Sequence, residues 1–244
     1  MRSLVVVFVL VASPAFAQIA SEQDRREALQ HYREGQEFMS AEQFEKAAAA
    51  FHKAIEKDRL LTLAHYGLGQ ANMSLRRFAS AIQAFTSCRE AYRTLHGLGE
   101  RDRVAVERQR DEEIRELKDT VRRLQAMNTT RQYDLRVTKV EARIQDLERQ
   151  RTSNQAVFTP PAEVSLALGS AHFRNNQFPD AEREWKAAIQ ANPKLGEAYN
   201  NLAALYAMTG RKEEAESAVK AAEKAGYRVH PQLKDDIKRM STTS

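Results

Sequence analysis

The chain has 244 residues, with 29% charged side chains, 7% aromatics and nine glycines, a composition that suits long helices with wet faces and argues against a β-sandwich. The formal net charge is +5, from 38 basic and 33 acidic residues. Arg alternates with Glu and Asp and does not gather on one face, which speaks against a nucleic-acid binder.

The first element stands apart from the fold. Met1-Arg2-Ser3 carries one positive charge, and Leu4 to Ala12 is an apolar run too short to span a bilayer. Ala15-Phe16-Ala17 has the small-x-small pattern of a cleavage site. Residues 1–17 are therefore expected to be a secretory signal peptide cleaved after Ala17, which makes the mature protein periplasmic or secreted. No later stretch is apolar enough for stable membrane insertion. Cys88 is the only cysteine, so an exported chain has no internal disulfide. Its setting among small and aromatic residues reads as that of a buried small hydrophobe.

The next region, residues 18–95, holds two copies of one frame, 28–61 and 62–95. Gly35, Ala47, Phe51 and Ala54 recur 34 residues on as Gly69, Ala81, Phe85 and Cys88, and Phe44 recurs as Phe78. Each copy has two apolar-periodic segments of about 12–14 residues, the spacing of amphipathic helices. Gly35 and Gly69 fall inside the first helix of each copy, where Gly costs about 1 kcal/mol against Ala. Glycine there predicts a close helix–helix approach, with Phe51 and Phe85 filling the gap.

Residues 96–153 are rich in helix formers. Ile114, Leu117, Val121 and Leu124 follow a 3-4-3 spacing, and Val137, Val140, Ile144 and Leu147 repeat it. Asn128–Asp134 has turn character. The pattern predicts a protruding antiparallel helical hairpin with these eight residues as its seam. Each arm would extend about 30 Å, with Arg and Glu on the solvated faces of a coiled coil. The same arms can also be read as pairing between chains, which would make a homo-oligomer. Residues 154–161 are the return linker, and Pro160-Pro161 lead into the next helix.

The frame returns at 162–195 and 196–229. Gly169, Ala181, Trp185, Ala188 and Pro193 form one copy; Ala203, Ala215, Val219, Ala222 and Tyr227 form the other. Gly210 reads as a turn residue between two helices, and Trp185 reads as core. Residues 230–244 supply a capping helix, opened by His230-Pro231, and a tail. A period of 34 with this order of small, aromatic and Pro positions resembles the tetratricopeptide repeat. The stretches "SLALGSAHFRNNQFPDAEREWKAAIQANP" and "EAYNNLAALYAMTGRKEEAESAVKAAEKA" carry the resemblance best. Arg59 and Arg93 depart from the closing Pro, and Ala203 departs from the Gly. The resemblance implies an all-α superhelix of helix pairs, here interrupted by the hairpin.

No catalytic constellation accompanies the repeats. The six histidines lack metal-site spacing, and GxSxG, P-loop and GxGxxG motifs are missing. No enzyme activity, cofactor, metal or nucleic-acid partner is read from the chain. The function expected is a non-catalytic scaffold or adaptor for a protein or peptide, with a self-associating envelope protein as the alternative. The first helices of such a stack line its concave side. The partner surface is expected at Tyr32, Arg33 and Gln36, then Tyr66, Gln70 and Met73, then Ser170 and Arg174, and finally Asn200 and Asn201. Aromatic, Met and amide side chains together suit an extended peptide or a partner's helix.

Overall fold

The computed structural model describes residues 20–97, 103–127, 131–152 and 160–240; the expected signal peptide lies outside them. Among the described residues there are eleven α-helices and no strands. In chain order they are α1 (Glu22–Ser40), α2 (Phe44–Lys57), α3 (Thr62–Ser74), α4 (Phe78–His96), α5 (Arg103–Met127) and α6 (Arg131–Thr152). Then come α7 (Ala162–Arg174), α8 (Phe178–Ala191), α9 (Gly196–Met208), α10 (Lys212–Lys224) and α11 (Pro231–Arg239). No described helix is long and apolar enough to cross a membrane.

Four helix pairs, α1–α2, α3–α4, α7–α8 and α9–α10, follow the sequence frame. A Cβ on Gly35 would lie 2.5 Å from the Phe51 ring and one on Gly169 2.5 Å from Trp185, and one on Gly69 would overlap Phe85 in the same way. The missing side chain of the first helix is thus the space taken by the aromatic of the second. The fourth pair solves the problem with Ala203 and Val219, both buried: a smaller filler leaves room for a Cβ. Phe51 also lies against Gly67 of the next pair, so one ring joins two repeats.

The turns inside the pairs share one geometry. Glu42, Arg76, Asn176 and Gly210 hold the same frame position, with φ of 56, 58, 59 and 76°. The residue after each donates its N–H back to the helix, Gln43 to Phe38, Arg77 to Asn72, Gln177 to His172 and Arg211 to Tyr206, at 2.8 to 2.9 Å. This is the Schellman closure, which satisfies carbonyls the helix leaves free. Between repeats the stop is a side chain. Asp58 Oδ1 accepts from the Leu60 N–H at 2.9 Å, and Asn192 Oδ1 accepts from the Lys194 N–H at 3.1 Å. This Asx turn works with Arg59 inside it as well as with Pro193. The second repeat has Tyr92 at that position, and α4 runs on to His96.

The stack is continuous. Phe85, Cys88, Tyr92 and Leu95 of α4 share a core with Val164, Leu168 and Ala171 of α7. Arg89 of α4 grips Glu184 of α8. The second and third repeats are therefore neighbours in space, although residues 97–161 separate them in the chain. At the far end α11 buries Ile237 in the core of the last two pairs.

Inside the insert, α5 and α6 pack through Ile114, Leu117, Val121, Val137, Ile144 and Leu147, with Leu124 and Val140 partly buried beside them. Two details differ from expectation. Residues 131–134 are helical, because nothing in Arg-Gln-Tyr-Asp stops a helix. The hairpin also does not stand clear of the repeats: Gln109, Glu113 and Glu116 of α5 and Lys139 and Arg143 of α6 reach them.

Candidate partner-binding surface

The contact between hairpin and repeats is built from polar side chains. Gln109, Glu113 and Glu116 fall on one stripe of α5, at spacings of four and three, and all are buried. Gln109 Nε2 donates to the Leu60 carbonyl at 2.7 Å. Glu113 accepts from the Tyr92 hydroxyl at 3.1 Å and from the Thr62 hydroxyl at 3.4 Å. Arg143 of α6 completes the cluster. It donates to Glu113 at 3.1 Å and to the Tyr92 hydroxyl at 3.0 Å, with its guanidinium 5.3 Å from the centre of the Tyr92 ring. Arg33 Nε of α1 donates to Glu116 at 3.1 Å, and its Nη2 makes a second contact. Lys139 of α6 pairs with Glu197 of α9. Leu63 of α3 packs onto the hairpin seam. Burial raises the Tyr92 hydroxyl well above its ordinary pKa, so it stays a neutral donor.

The expected protruding insert is thus a cover that rests mainly on the first two repeats, through Arg33, Leu60, Thr62 and Tyr92, and reaches α9 through Lys139. The reason is chemical: Arg33, Thr62 and Tyr92 offer donors that the acidic stripe of α5 can use. The sequence signal for this contact is faint. It is the Tyr at position 92, where the Asx residue of the frame belongs.

Among the residues expected to touch a partner, Tyr32 is corrected. It is buried with its ring 5.9 Å from Phe51, because an aromatic at this position fills the gap between helices. Burial, with Glu116 nearby, also holds its hydroxyl neutral. Arg33 is engaged by Glu116. Tyr66 and Met73 are half-buried around Phe85. The Ser170 hydroxyl is turned back onto the Leu166 carbonyl at 3.0 Å. Gln70 and Arg174 are exposed, the latter with its guanidinium 5.5 Å from the Phe78 ring centre. Gln36, Asn200 and Asn201 are half-buried, and Met208 stands 64% exposed at the end of α9. Gln36, Gln70 and Ser170 share one frame position, and Arg174 and Met208 share another, so they form rows across stacked first helices. The eight seam residues are satisfied between α5 and α6 of one chain, which leaves no free apolar strip of these side chains for a second copy. Among the described residues, no group of three or more His, Cys, Asp or Glu side chains gathers as metal ligands do.

A stack of helix pairs, three of them locked by glycine against an aromatic and the fourth by alanine against valine, with one turn geometry inside every pair, defines a helical-repeat solenoid. A sequence model of the tetratricopeptide repeat matches residues 32–94 and 166–227, just over half of the 244 residues. The chain belongs to the tetratricopeptide repeat family. A search of curated proteins finds no match. Among solved structures, the chain is similar to TTC0263, a tetratricopeptide repeat protein of Thermus thermophilus. The two are 19% identical, over 86% of this chain and 97% of that one, with a TM-score of 0.35. It is similar to PilW, a type IV pilus biogenesis factor, at 16% identity over 84% and 80%, with a TM-score of 0.37. It is also similar to YrrB, a tetratricopeptide repeat protein with an unusual peptide-binding site. That match has 16% identity over 89% and 95%, with a TM-score of 0.31.

Proposed function

We propose that this protein is an exported, non-catalytic scaffold that holds a protein or peptide partner on the first-helix face of its four-repeat stack. The observation that carries the reading is the direct packing of α4 on α7. It supports reading Gln36 and Gln70 of one half and Arg174 and Asn201 of the other as parts of one first-helix side, which the hairpin partly covers. Amides and a guanidinium suit the backbone carbonyls and polar side chains of an extended segment. Export is supported by the apolar run at Leu4–Ala12 and the Ala15-Phe16-Ala17 motif.

The test is a crosslinking pull-down from a native envelope extract with residues 18–244. It is run beside a variant carrying Gln70→Ala, Arg174→Ala and Asn201→Ala. A defined partner lost by the variant, with its melting unchanged, supports the groove. Equal capture by both chains overturns it.

A further inference from the structure

The hairpin carries its own interior. Its apolar seam closes between α5 and α6. Its Arg143, 11% exposed, is matched within the hairpin by Glu113 at 3.1 Å and Asp146 at 2.9 Å. Lifting the hairpin from the repeats therefore separates no partners of this ion pair, and the apolar groups of the repeats that lose cover are few: Leu63 on the seam, the Tyr92 ring under Arg143, and Leu29 and Leu61 beside α5. What breaks is polar: the Tyr92 and Thr62 hydroxyl contacts, the Gln109 bond to Leu60, and the pairs Arg33–Glu116 and Lys139–Glu197. Both ion pairs have a solvent-exposed cation and are open to screening by salt.

What the covered face selects can be read from the helix that covers it. Glu113 and Glu116 sit three residues apart on α5, on the same stripe as Gln109, and meet donors from α1, α3 and α4. We infer that the hairpin is a reversible cover, with α5 standing in for a partner helix that bears carboxylates at this spacing. Such an acidic helix binds by taking the place of α5 on α1 and α3. The inference rests on the partner-binding reading above. Its first test needs no partner, so it can fail while the pull-down succeeds.

The experiment uses the full chain with Cys88→Ala and spin labels at Ser74→Cys and Gln125→Cys, both exposed positions. Pulsed electron paramagnetic resonance gives the distribution of distances between hairpin and repeats. One distance is expected at low salt. A second, longer distance should appear and grow in about 1 M NaCl, and in a Tyr92→Phe, Arg33→Gln variant at low salt. A synthetic peptide copying residues 107–124 should enlarge it, and the same peptide with Glu113→Gln and Glu116→Gln should not. A distribution unmoved by salt, variant and peptide overturns the reversible cover. Opening to which the two peptides contribute equally overturns the acidic helix.

Discussion

Arg89 Nη1 on α4 lies 3.0 and 2.9 Å from the two carboxylate oxygens of Glu184 on α8, and between these helices the chain leaves the stack to build the hairpin. Glu184 is only 6% exposed. Removing Arg89 leaves this carboxylate only the exposed Arg183 at 4.0 Å, and losing a partner of a buried pair costs up to about 3–5 kcal/mol. Arg89→Met should therefore lower the urea midpoint strongly. Because the pair sits at the junction of the two halves, it should also split unfolding into two steps. The double variant Arg89→Met, Glu184→Met should return most of the loss, since apolar replacements of similar volume are often neutral. Equal stability of the single and double variants would refute this account.

The glycine–aromatic lock predicts a rescue. Gly169→Ala puts a methyl group 2.5 Å from the Trp185 indole and should cost about 1–3 kcal/mol by overpacking. Adding Trp185→Val recreates the Ala203–Val219 solution of the fourth repeat. In that background the alanine should be better tolerated than in the native one. A double-mutant cycle in thermal unfolding gives the coupling, and a coupling near zero would sink the lock.

At the intra-repeat turns, Gly210 has open space around it and a φ of 76°. Gly210→Ala should lose about 1 kcal/mol through backbone strain alone. Arg76→Gly, at the same frame position, should be neutral to stabilising by up to about 1 kcal/mol. Chemical denaturation with unchanged m-values checks both.

Glu182 gives a pH dependence. It accepts from Arg211 at 2.6 and 3.2 Å, from Lys186 at 2.6 Å and from Tyr206 at 3.1 Å. The Arg211 hydrogen bonds foremost bring its pKa down to about 2. The unfolded carboxylate titrates near 4.3, at about the ordinary Glu value. The folded value is the lower one, so this stabilisation is complete above that pH and is lost as pH falls toward 2. Glu182→Gln should melt below the parent at neutral pH, and the gap should close in acid. A gap independent of pH would contradict it.

Cys88 is fully buried, its S–H reaches the Thr62 carbonyl at 3.4 Å, and burial raises its thiol pKa. A thiol reagent should label it only as fast as the protein opens, with the rate rising in denaturant. Prompt labelling of the native chain would contradict that.

The repeat frame was legible because Gly35 with Phe51 and Gly169 with Trp185 sit at fixed local spacings that one physical demand explains. The turns were legible only at Gly210. Glu42 and Arg76 take the same left-handed backbone but are residue types that do not advertise it, since the Schellman bonds impose the conformation. Tyr32 and Tyr66 hold equivalent frame positions, yet Tyr32 is buried and Tyr66 half-buried; periodicity carries no information about that difference. The docking of the hairpin was illegible for another reason. A buried stripe of Gln109, Glu113 and Glu116 reads like any solvated helix face until its donors, brought from distant parts of the chain, are known.

The direct packing of α4 on α7 also bears on how this molecule assembles. Most repeat stacks grow by contacts between chain neighbours, which keeps loop closure cheap and folding fast. Here the central junction must bring together segments on either side of residues 97–161, and the closure entropy rises with the length of free chain between them. Pairing of α5 with α6 removes most of that free chain before the ends meet. The hairpin thereby acts as a staple in time: each half can nucleate alone, and the join between them waits for the insert to fold.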